Sequence, residues 1–117
     1  MNVIEHLLTC VIEEASELQK AATKALRFGL DDAWADNDLG LPKWDLTPRQ
    51  EITYELNDLM AAVRLLRGHG VLPEITPQDT EQRFGKMEKI RVMMDYARLQ
   101  GTLDKEEQPN VQREDTL

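Results

Sequence analysis

Four acids in two pairs are the residues of this chain best suited to chemistry. Glu14 and Glu17 stand in E-x-x-E, and Glu55 and Asp58 in E-x-x-D. Three-residue spacing puts both members of a pair on one side of a helix, about one turn apart. At roughly 100° per residue, Ile4, Leu7, Leu8, Val11, Ala15, Leu18, Ala22, Ala25 and Leu26 share one broad apolar face of a first helix. Glu14 falls at the edge of that face, close to Leu7, Val11 and Leu18. On a second helix Ile52, Leu56, Leu59, Ala62, Val63 and Leu66 form the apolar face, and Glu55 falls inside it. Asp58 sits at its flank near Leu65, and Glu51 adds a third acid on the same side. A carboxylate buried without a partner costs several kcal/mol or takes up a proton. Two helices that each put an acid on the packing face, with a second acid one turn away, predict that the acids meet across the interface. Clustered carboxylates repel, so something positive must sit among them. Lysines would serve, and a divalent cation serves better.

The ligands of such a site are all oxygen. His6 and His69 lie outside both pairs, and neither completes the Glu-x-x-His of di-iron bundles. Carboxylates alone suit a hard cation, Mg²⁺ or Mn²⁺. Mg²⁺ held by a few carboxylates keeps positions open for water and substrate phosphates. Among 22 acids, Glu17, Glu51 or Asp58 taken singly fits an ordinary solvated helix face. Glu14 and Glu55 are harder to explain that way. The acids of "DDAWADNDLG" superficially suggest a calcium loop, but Gly at the sixth position and Glu at the twelfth are missing.

Three helices must hold these residues. The first is predicted from about Asn2 to Phe28, with Asn2 and Glu5 as a capping box and Gly29 as the stop. The second is predicted from about Thr47 to Gly68, with Thr47 as N-cap, Pro48 at the first position and Gln50 closing the box. The third runs from Thr76 or Pro77 to Gln100, opens on another Thr-Pro, and is weakened by Gly85. Between the first two lies a long Asp-rich loop, about 29–46, that contains Trp34 and Trp44. Loops of this length are usually functional or mobile. The polar stretch 104–117 reads as a disordered tail. Residues 1–103 thus form one all-α domain, an antiparallel bundle of three long helices. Its apolar stripes exceed what one chain covers, so self-association is expected.

Composition limits the function classes. The chain has 117 residues, enough for one compact domain. Aromatics are only 5%, so the core falls to aliphatic residues, and Met60, Met87, Met93 and Met94 read as core filler. The net charge of −8 argues against nucleic-acid or anionic-membrane binding. Cys10 alone makes no intrachain disulfide and no cysteine zinc site. With neither a signal-peptide pattern nor a spanning apolar run, a cytoplasmic location is expected.

"EEASELQKAATKALRFG", "EITYELNDLMAAV" and "KMEKIRVMMDYARLQGTL" resemble the MazG-like all-α nucleoside triphosphate pyrophosphohydrolases. The two acidic motifs, in this order on successive long helices, carry the likeness, which covers the three helices. Asn57 departs from the Gly that many members have before the Asp. The resemblance implies Mg²⁺-dependent cleavage of a nucleoside triphosphate to monophosphate and pyrophosphate, by dimers or tetramers. It assigns metal binding and catalysis to Glu14, Glu17, Glu55 and Asp58. At "KALRFG" it points to Lys24 and Arg27 as phosphate contacts, and Lys86 and Lys89 on the third helix are further candidates. Ordinary surface basic residues pairing at i,i+4 are the alternative account of these four. Tyr96 and Arg98 resemble the family's Y-x-R segment, and packing explains them equally well. Trp34 and Trp44 would cover a base, or simply pin the loop. The proton acceptor stays open among Glu51 and the four ligands. Two other functions fit the same residues. One is a non-catalytic helical interaction protein whose Glu14 and Glu55 make buried salt bridges. The other is a related enzyme acting on phosphoribosyl-ATP or dUTP.

Overall fold

The computed structural model describes residues 1–32 and 46–105. Trp34, Trp44 and residues 106–117 of the expected tail lie outside them. Three helices, and no strand among the described residues, make the chain all-α: α1 is Val3–Phe28, α2 is Pro48–Gly68 and α3 is Pro77–Leu99. Local chemistry sets their ends. Asn2 Oδ1 accepts from the Glu5 amide at 2.8 Å, and Asn2 Nδ2 donates to Glu5 Oε1 at 3.1 Å. Gly29, at φ 99°, closes α1 by donating its amide to the Ala25 carbonyl, in a conformation that a Cβ would strain. Thr47 Oγ1 accepts from the Gln50 amide at 3.2 Å, and Gln50 Oε1 accepts from the Thr47 amide at 3.0 Å. The Thr76 amide donates to Asp79 Oδ2 at 2.6 Å. Each helix starts within a residue of where its cap pattern predicts.

The chain divides into two compact units, Met1–Pro73 and Glu74–Leu117. In the first, α1 and α2 form an antiparallel hairpin. Lys24 near the end of α1 pairs with Glu51 in the first turn of α2, and the Arg49 amide donates to the Leu30 carbonyl at 2.9 Å. A two-pronged ion pair, Arg49 Nε–Asp31 Oδ1 at 2.8 Å and Arg49 Nη2–Asp31 Oδ2 at 3.1 Å, ties the same end.

The helices meet along a seam with one spacing on both sides. On α1 its residues are Leu7, Val11, Glu14, Leu18, Ala21 and Ala25, and on α2 Pro48, Ile52, Glu55, Leu59, Ala62 and Leu66, all buried or half-buried. Both sets step by four, three, four, three and four. That is the 3.5-residue period of coiled-coil packing. It narrows the faces expected from a 3.6-residue wheel. Ile4, Leu8, Ala22 and Leu56 are exposed and Leu26 is 89% exposed, while Ala21, off the expected face, is 1% exposed. One partner helix covers a stripe two positions wide per heptad, so the rest of a broad apolar face stays outside. In the second unit, α3 buries none of its residues. Met93 and Met94 are exposed there, as is Met60 on α2, and only Met87 is half-buried. These methionines fill no core within their own units.

Candidate metal centre

Glu14 and Glu55 are both seam residues, each third in its helix's series of packing positions. The 3.5-residue spacing that turns Leu7, Leu18, Ala62 and Leu66 inward turns these carboxylates inward too. Both are half-buried, and Asp58, one turn beyond Glu55, is exposed at the margin. One carboxylate oxygen from each of Glu14, Glu55 and Asp58 lies within 4.8 Å of the others. The hard, anionic donor set suits Mg²⁺, and these three carboxylates would hold it.

The electrostatics of the cluster are those of a site short of positive charge. The Glu55 carboxyl is pushed above its ordinary value of 4.5, first by burial, then by a hydrogen bond shared with Glu14 and by the charges of Glu14, Asp58 and Glu17. The ion pairs of the described residues involve neither Glu14 nor Glu55. Among the described residues, no lysine or arginine of the seam pairs with them.

The other candidates divide. Glu17 is exposed and outside the oxygen triangle, although its charge reaches Glu55. Lys24 Nζ stands 3.3 Å from both oxygens of Glu51, in a half-buried pair. Arg27 is exposed in the last turn of α1, with its guanidinium 5.0 Å from the centre of the Phe28 ring. Lys86 and Lys89 belong to the second unit, where with Ile90, Met93, Met94 and Ala97 they line an open groove of about 400 Å³ on α3. His69 borders a different hollow at the end of α2, beside Arg64 and Leu65.

The pairing of Lys24 with Glu51 was not read from the sequence, yet a signal for it exists. Lys24 follows Glu17 by seven residues, and Asp58 follows Glu51 by seven. Seven residues are two turns, about 10 Å along one side of a helix. Because Lys24 and Glu51 meet on one flank of the antiparallel hairpin, Glu17 and Asp58 emerge on that same flank, one heptad along. The flank thus carries acid ligands at one level and a held ammonium at the next. Comparison of the chain with protein-family models, curated proteins and solved structures finds no match.

Proposed function

We propose that the protein is a Mg²⁺-dependent nucleoside triphosphate pyrophosphohydrolase of the MazG-like kind. It would cleave a ribo- or deoxyribonucleoside triphosphate to the monophosphate and pyrophosphate. The observation that carries the reading is the convergence of Glu14, Glu55 and Asp58 oxygens within 4.8 Å, from two helices and, among the described residues, with no ion pair to Glu14, Glu55 or Asp58. When bound, Mg²⁺ supplies neutralisation of the polyphosphate and Lewis acidity toward the reacting phosphoryl group.

The chain's own residues do the rest. Glu14, Glu55 and Asp58 hold the ion, and Glu17 adds a fourth carboxylate at the flank. Water attacks the α-phosphorus, the bond to the bridging oxygen breaks, and pyrophosphate leaves. The water's proton passes to a carboxylate of the cluster. Lys24 and Arg27 meet the outer phosphates from α1. The related reading, a pyrophosphatase for phosphoribosyl-ATP or dUTP, uses the same site and differs only in the base and sugar. Self-association as a dimer or tetramer belongs to the proposal, supported by the apolar residues that the described helices leave exposed.

The test is direct. The protein is incubated with Mg²⁺ and a panel of ribo- and deoxyribonucleoside triphosphates, and pyrophosphate is assayed. Mg²⁺-dependent pyrophosphate release from at least one is expected. Release from none sinks the reading, and orthophosphate in place of pyrophosphate moves the cleavage to another bond.

A further inference from the structure

We infer that Glu51 is a positioning residue for Lys24, and not the proton acceptor of the reaction. The inference rests on the pyrophosphohydrolase reading. A triphosphate anchored by its metal on Glu14, Glu55 and Asp58 extends along the hairpin, and the heptad relation puts Lys24 on the flank where Asp58 and Glu17 emerge. A lysine ammonium ends a flexible four-carbon stem and loses much rotamer freedom when it is fixed. Glu51 removes that freedom in advance. Both its oxygens lie 3.3 Å from Nζ, and the pair is sheltered, with side chains 31% and 22% exposed. Glu51 is itself anchored in the first turn of α2 by the Thr47–Gln50 cap. The same contacts place the ammonium against both oxygens, the atoms a general base would turn toward water. Within the four-carboxylate cluster, by contrast, Glu17 makes no ion pair among the described residues.

Glu51 then has two opposed effects on a polyphosphate. It aims Lys24, which helps binding, and it adds a negative charge, which hinders it. The two separate in a cycle of variants. Steady-state kinetics are measured for the wild type, Glu51→Ala, Lys24→Met and the double variant, with a triphosphate that the wild type hydrolyses. Inorganic tripolyphosphate serves as a competitive inhibitor. In the presence of Lys24, Glu51→Ala is expected to raise KM and the tripolyphosphate Ki roughly five- to tenfold, less than the loss of a whole charge-assisted contact because Lys24 is loosened and not removed, with kcat within about twofold. In the Lys24→Met background the same change is expected to lower both constants, because only the repulsive charge is left to remove. A merely structural Glu51 would not reverse sign. Glu51→Gln keeps one acceptor for the ammonium and is expected to fall between, and it carries the test if melting curves show Glu51→Ala to be unfolded. An active wild type whose Glu51 variants keep its KM overturns this inference alone. So does a loss of kcat of a hundredfold or more, as removal of a general base produces. A wild type that hydrolyses no triphosphate removes the underlying reading and this one with it.

Discussion

Glu55 concentrates the conflict at the site. It is held at a half-buried packing position beside the Glu14 carboxylate and feels three negative neighbours, so its folded-state affinity for a proton exceeds that of the unfolded chain. The sign of the consequence is fixed. The folded state binds more protons than the unfolded one between the ordinary value of 4.5 and the raised folded value. In that window the slope of unfolding free energy against pH is negative. The contribution of Glu55 to stability is therefore full below about pH 4.5 and is lost as pH rises through its folded pKa. Mg²⁺ needs the ionised carboxylates, so metal and proton compete. Melting temperatures measured from pH 4 to 8 should fall with pH more steeply for the wild type than for Glu55→Gln. Added Mg²⁺ should raise the wild-type Tm increasingly as pH climbs, and should leave Glu14→Gln and Glu55→Gln unmoved and without turnover. Equal pH slopes in wild type and Glu55→Gln would remove the proton-trapping account. A Mg²⁺ shift that persists in both variants would remove the metal site.

Along the hairpin, the same two acids occupy positions that the helix pairing reserves for apolar side chains. Glu14 stands between Val11 and Leu18 in its series, and Glu55 between Ile52 and Leu59. Replacing both by leucine fills the seam and ends the repulsion. Buried charges exchanged for well-packed apolar groups often raise stability by 1–4 kcal/mol. These sites are only half-buried, so Glu14→Leu with Glu55→Leu should add about 1–2 kcal/mol. Urea unfolding should show a higher midpoint at unchanged slope, together with complete loss of Mg²⁺ response. A less stable double variant would mean that the carboxylates serve the fold. How far the sequence foretold this geometry follows from what local chemistry encodes. Asn2, Thr47, Thr76 and Gly29 mark helix ends through bonds to residues three or four away, so their spacing alone suffices. The meeting of Glu14 and Glu55 was legible because each is out of place on its own face. The width of the seam was not, since periodicity reports which side is apolar and not how much of it a partner covers. Leu26 and Ala22 therefore fell on the expected face and outside the seam, and Ala21 did the reverse. The Lys24–Glu51 pair was hidden for a related reason: it depends on the register between two helices, which no single helix contains.

The remaining apolar surface bears on how many chains make the working protein. Ile4, Leu8 and Ile12 recur every four residues on α1 and form one exposed ridge, with Ile12 67% exposed. In the other unit Ile90, Met93 and Met94 are exposed on α3, which has no fully buried residue. Most helical stability in proteins comes from packing an apolar face. Contiguous apolar patches of this kind mark interaction surfaces in soluble proteins, and a helical ridge is suited to the groove of another helix. Self-association of this chain is the partner the proposal names. Light scattering coupled to size exclusion should give at least twice the 13.5 kDa chain mass. Leu8→Glu with Ile12→Glu should shift the protein toward monomer and lower its melting temperature, with helicity followed by circular dichroism. The melting temperature of the wild type should also rise with protein concentration, as linkage between folding and assembly demands. A wild type of 13.5 kDa at every concentration, with a Tm independent of concentration, would return those ridges to the surface of a monomer and remove self-association from the proposal.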